Sequence, residues 1–184
     1  VAVVFFREQE MTVAFLLVVV LPALLVAAAV YDLMSYTIPN PITGAMILLF
    51  VAFIVLVALT GNALSWNDVG LHLLAGLLGL AVGMGMFAAG WIGGGDAKLF
   101  AAALLWLGWD VLLDYAILAS LLGGLLTLAL LLLRQIPLPV FLVRQSWIAR
   151  LSDPKAGVPY GVALAMAALF VLPDTHLFDI VSAS

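Results

Sequence analysis

The sequence has no cysteine, only two histidines, and little charge: six Lys and Arg and ten Asp and Glu among 184 residues. Without cysteine there is no disulfide, no thiolate-bound zinc and no thiol nucleophile, and the redox compartment stays open. His72 and His176 belong to no HExxH pattern, so a zinc hydrolase is unsupported and no metal site is expected. Both are expected at the membrane interface rather than as ligands. Ser35, Ser120 and Ser146 have no histidine placed as a base, which leaves a Ser–His triad without support. No basic patch marks a nucleic-acid surface. The Gly-rich run before Lys98 lacks the spacing and the Ser/Thr of a phosphate loop.

What is present is apolar. Hydrophobic residues make up 67% of the chain, with a mean hydropathy of +1.32, where a soluble domain holds about 45–50%. The solvent for most of this chain is therefore lipid. A spanning helix needs about 20 mostly apolar residues. Met11–Tyr31, Pro41–Thr60, Val69–Trp91, Val111–Leu133 and Gly157–Leu172 meet or approach that length, and Ala97–Trp109 is a shorter sixth segment. A backbone in lipid must satisfy its own hydrogen bonds. The expectation is thus an all-α, polytopic membrane bundle of about six helices, with residues 1–184 as one membrane-embedded domain. The chain begins with Val; an alternative initiation codon or a start at Met11 would account for that. Thr12–Val30 exceeds the roughly 7–15 apolar residues of a secretory signal and reads as a span.

The breaks have local causes. Ile38-Pro39-Asn40-Pro41 ends one element and opens another. Thr60-Gly61-Asn62 is a turn, and Gly93-Gly94-Gly95 resists a helix interior. The 134–156 stretch, with Pro137, Pro139 and Pro154, reads as a cytoplasmic loop whose amphipathic part, Val140–Leu151, lies on the membrane surface. Gly76, Gly79, Gly83 and Gly90 recur at spacings that let helices approach closely. If all six segments cross, Lys98, Arg134, Arg144, Arg150 and Lys155 fall on one side and Arg7 on the other. The positive-inside rule makes the first side cytoplasmic and puts both termini outside. Glu8, Glu10, Asp68, Asp110, Asp114, Asp174 and Asp179 fall outside as well.

The same parity brings Asp32 and Asp96 to one membrane face. A carboxylate near lipid is expensive. Taken singly, each acid also fits an interfacial helix cap, and Asp96 before Ala97 has the residue type of an N-cap. Taken together, two carboxyls sharing a site hold one proton between them; one activates water and the other donates to a scissile carbonyl. Such a pair titrates as a unit, so acid and base are not assigned to individual residues. The three glycines before Asp96 permit close approach of a substrate backbone, and Lys98 anchors the cytoplasmic interface. A rival reading is a non-enzymatic, ion-coupled carrier with intramembrane acids as proton relays. That reading expects polar groups along the spans and a midplane site, and the spans here carry few. A non-catalytic scaffold is a third.

Tyr31-Asp32 followed by Ile38-Pro39-Asn40, then Gly93-Gly94-Gly95-Asp96-Ala97-Lys98-Leu99, resembles the type IV prepilin peptidases, and Val158-Pro159-Tyr160-Gly161-Val162-Ala163 resembles a further stretch at the start of their last helix. The resemblance implies a membrane aspartyl endopeptidase that removes the leader of a prepilin or pseudopilin precursor at the cytoplasmic face of the bacterial inner membrane, after a glycine and before a hydrophobic helix. It implies catalytic roles for Asp32 and Asp96, water as nucleophile, no cofactor, and positions near the site for Gly93, Gly94, Gly95, Lys98, Pro39, Asn40, Pro159, Tyr160 and Gly161. Membrane lipid and a pilus assembly machine are expected partners. The paired Cys-x-x-Cys insert of the methylating members is missing. The chain is therefore most similar to the short, peptidase-only branch that serves tight-adherence (Flp) pili, with archaeal preflagellin peptidases as the alternative. Presenilin-type proteases share Tyr-Asp and Gly-x-Gly-Asp but have Pro-Ala-Leu where this chain has Pro159-Tyr160-Gly161.

Overall fold

The structure, a computed structural model, describes residues 11–60, 64–136, 139, 141 and 144–182. The expected turn at Gly61-Asn62, the acids and Arg7 before Met11, and much of the 137–143 stretch lie outside the described residues.

Helix α1, Met11–Ser35, is one apolar span. Pro22 lacks the amide that would bond one turn back, and the wider π-helical turn Leu16–Val20 just before it absorbs the missing bond. Helix α2 is Asn40–Thr60, with Pro41 in its first turn, where an amide would lack an intrahelical partner anyway. Helix α3, Trp66–Ala88, starts at a reciprocal cap: the Asp68 N–H donates to Ser65 Oγ at 3.2 Å and the Ser65 N–H to Asp68 Oδ2 at 2.9 Å. Helix α4, Gly94–Leu107, ends at Gly108, whose φ of +84° only glycine adopts readily. Helix α5 is Leu112–Leu133 and α6 is the short Ser146–Ser152. Helix α7, Tyr160–Val171, passes through a 3₁₀ turn, Leu172–Asp174, to α8, His176–Ser182, with a 52° bend.

Among the described residues four helices, α1, α2, α3 and α5, are long and apolar enough to cross a membrane, and the bent α7–α8 pair makes a fifth if it is one span. The protein is an all-α membrane helix bundle. The short segment expected at Ala97–Trp109 begins earlier, at Gly94. Its 14 residues are about 21 Å of helix, short of the roughly 30 Å of hydrocarbon. Nine of them are buried, so α4 is the central element, packed mainly against α3, α7 and α2.

The glycine spacing read from the sequence explains how α4 is held. Gly76, Gly79 and Gly83 of α3 face Leu105, Leu104 and Ala97 of α4, so the two helices run antiparallel in close contact. A Cβ at Gly83 would lie 3.0 Å from the Ala97 backbone. Trp106 closes the far end: its ring meets Phe50 and Phe53 edge-on at 5.4 Å, and Nε1 donates to the Met46 carbonyl at 2.9 Å. His72, expected at the interface, is instead buried. Its Nδ1 is 3.0 Å from the Leu105 carbonyl, and its ring fills the space that a Cβ on Gly108 would need. The outward faces carry Leu48, Val51 and Val55 on α2 and Leu121, Leu125 and Leu128 on α5, as lipid-facing surfaces require.

Candidate active site

Three sequence motifs meet at one end of the bundle, and each supplies a helix terminus. Asp32 lies in the last turn of α1, which stops when Tyr36 takes a left-handed conformation, φ 55°. The Tyr36 N–H closes the helix on the Asp32 carbonyl at 2.7 Å. Asp96 stands in the first turn of α4. Its residue type also fits an N-cap; the structure puts Gly93 there and Asp96 three residues on, where its Oδ2 accepts the Gly93 N–H at 3.1 Å. Asp96 therefore does cap its helix from within. Its Oδ1 is buried and has no hydrogen-bond partner among the described residues.

Gly161 opens the first turn of α7, where amides lack intrahelical partners and the helix dipole favours negative charge. Its N–H donates to Asp32 Oδ2 at 2.7 Å. Any side chain at Gly161 would obstruct this: a Cβ would sit 2.8 Å from Ile38 Cδ1 and 2.9 Å from Asp32 Oδ2. Ile38 is the wedge between the motifs. It is buried, and it also lies where a Cβ on Gly95 would come within 3.2 Å. The fixed φ of Pro39 follows, and Asn40 then starts α2.

Asp32 and Asp96 are both buried, at 4% and 8% exposure. They line one cavity of about 230 Å³ with Tyr36, Thr37, Ile38, Asn40 and Gly93–Gly95, and it carries more polar surface than the others. Behind Asp96 lies a second cavity, also about 230 Å³, but apolar: Val82, Met86, Phe100, Ala119, Tyr160 and Leu164 line it. Asp96 is the wall between the two. Tyr160 reaches this cavity because Gly123 on α5 has no side chain; a Cβ there would come within 2.7 Å of the Tyr160 hydroxyl. Pro159 is buried at the N-cap of α7 and accepts the Val162 N–H at 3.3 Å. Lys98 points elsewhere: Nζ donates to Asn40 Oδ1 at 2.9 Å, joining α4 to α2.

Arg134 and Arg150, which orient the chain by the positive-inside rule, and Tyr36, to which the sequence assigns no role, also shape this end of the bundle. Arg134 donates from Nε to Leu151 at 2.9 Å and from Nη2 to Gly157 at 2.8 Å, tying the segment before α7 to the end of α5. Arg150 lies 5.8 Å from the centre of the Tyr36 ring. Burial raises the Tyr36 phenol above its ordinary value, outweighing the nearby Arg134, so the ring stays neutral. No local pattern marks these contacts; they join elements remote in sequence.

A model of the type IV leader peptidase family matches residues 19–128. That span takes in Asp32, Ile38-Pro39-Asn40 and Gly93 to Lys98, and stops before Pro159-Tyr160-Gly161. Neither a curated protein nor a solved structure matches the chain.

Proposed function

The chain belongs to the type IV leader peptidase family, and from that membership we propose an aspartyl endopeptidase that removes the leader of prepilin-like precursors, with Asp32 and Asp96 as its catalytic pair. The observation that carries this reading is the shared polar cavity: two buried carboxyls from helices far apart in sequence, each held by a backbone amide at a helix start.

The chemistry follows from a pair holding one proton. A water between the carboxyls gives a proton to the ionised one as its oxygen attacks the scissile carbonyl carbon. The protonated one donates to the carbonyl oxygen. The tetrahedral diol then collapses: one hydroxyl returns its proton to the ionised carboxylate as the carbonyl re-forms, the C–N bond breaks, the nitrogen takes a proton from the protonated carboxyl, and two peptides leave with the pair again holding one proton. The buried, unpartnered Asp96 Oδ1 suits the group that meets substrate or water.

The two cavities suit a substrate with two characters. The leader side, with glycine at the scissile bond, lies along the glycine backbone in the polar cavity. The first apolar side chain beyond the bond enters the cavity behind Asp96. The precursor's hydrophobic helix then continues in lipid. The site faces the cytoplasm of the bacterial inner membrane, as the basic residues suggest. The absence of cysteine fits a peptidase without the zinc-binding insert, of the kind serving tight-adherence (Flp) pili.

The test is cleavage of a co-expressed precursor by wild type, Asp32→Asn and Asp96→Asn, with insertion of each checked. Each variant should lose at least about a hundredfold, the lower end of what general acid–base catalysis supplies. Full activity in either inserted variant would sink the dyad.

A further inference from the structure

A groove of about 490 Å³ lies between α2, α3 and α4, on the side of α4 away from the acids. Lys98 is two residues past Asp96 and so points about 200° around the helix from it. Asn40, Thr43, Gly44 and Ile47 line the groove from α2, at the i, i+3, i+4, i+7 spacing of a single helix face. The α4 lining runs on the same spacing from Lys98 to Leu105. Each stripe covers about 10.5 Å along its axis. Helix α3 runs antiparallel, so its Leu80 lies towards the Lys98 end and its Leu73 towards the other. The polar groups Asn40 and Lys98 thus gather at one end, and alkyl and glycine surface fills the rest.

A slot parallel to the helices, cationic at its mouth and apolar along its length, matches an amphiphile standing as bilayer lipids stand. Lys98 is exposed, and its hydrogen bond goes to a neutral amide oxygen. An ammonium has three donors, so it retains capacity for an anion. We propose that this groove binds one acyl chain of an anionic phospholipid, with the headgroup phosphate on Lys98. The groove shares Asn40 with the cavity of the acids but is lined by neither Asp32 nor Asp96, so lipid binding there does not depend on the proposed dyad.

The test is native mass spectrometry of the full chain in detergent, equilibrated with phosphatidylglycerol and phosphatidylcholine of identical acyl chains. Wild type should retain the anionic lipid about fivefold better, the ratio that one basic residue at an anionic surface supplies. Lys98→Gln should bring the two lipids to parity. Gly44→Leu should lower retention of both, because a Cβ at Gly44 meets no protein atom within 4 Å and the added side chain enters the groove. Equal retention by wild type, or an unchanged preference in Lys98→Gln, would overturn the proposal. So would Gly44→Leu slowing precursor cleavage with lipid retention unchanged, which would make the groove a substrate path.

Discussion

The Gly161 N–H donates to Asp32 Oδ2 at 2.7 Å across 129 positions of sequence. The bond aims the start of α7 at a carboxyl in the last turn of α1. It leaves no room for a side chain, since a Cβ on Gly161 would fall between Ile38 and Asp32.

Gly161→Ala should therefore cost activity while the bundle stays intact. The added methyl lies 2.9 Å from Asp32 Oδ2, so the carboxyl must move and lose its amide donor. A drop of at least about tenfold in precursor cleavage is expected, by analogy with the loss of one positioned donor. Gly124→Ala is the control, because a Cβ there meets nothing within 4 Å. Equal activity in the two variants would show that the Gly161–Asp32 contact is not needed.

The cavity behind Asp96 should set which residue follows the scissile bond. Ala119 is buried on its wall. Ala119→Leu narrows the cavity and should disfavour a precursor with phenylalanine there by about tenfold relative to one with alanine, the scale of a methylene misfit in an apolar pocket. Cleavage rates of the two precursors by wild type and variant give the ratio. Retained cleavage of the alanine precursor would separate lost fit from lost chemistry.

The α3–α4 contact should dominate the stability of the hairpin that presents Asp96. Gly83→Leu pushes a side chain against the Ala97 backbone, which cannot turn away. Overpacking of this kind costs about 1–3 kcal/mol. Gly85→Leu, two positions on and open to its surroundings, should cost far less. Thermal unfolding in detergent compares them, and equal midpoints would count against the close α3–α4 contact.

Much of this was legible in the sequence because its causes are local. Lipid as solvent follows from composition. The start of α2 follows from proline, whose backbone limits do not wait for tertiary contacts, whereas α4 starts inside the glycine run, at Gly94, and not at Ala97 as the low helix propensity of that run suggests. The stripe Gly76, Gly79, Gly83 announced a close helix pair, and Asp32 and Asp96 stood out because carboxyls are costly beside lipid. Other features depended on partners remote in the chain. His72 looked interfacial from its place near a helix end, but that end packs against Gly108, and the ring is buried there. Ile38 read as one letter of a motif, and its place between Gly95 and Gly161 exists only once α1, α4 and α7 converge.

The sequence by itself thus determined that the chain is a membrane helix bundle, where most of its helices break, and which two acids stand beside lipid at helix junctions, since hydropathy and backbone sterics act residue by residue. Only the tertiary structure decided that the Gly161 amide holds Asp32, that Asp96 divides a polar cavity from an apolar one, and that Lys98 faces a separate groove. Those relations depend on how each helix is rotated about its axis, and that rotation is set by the packing of all its neighbours together.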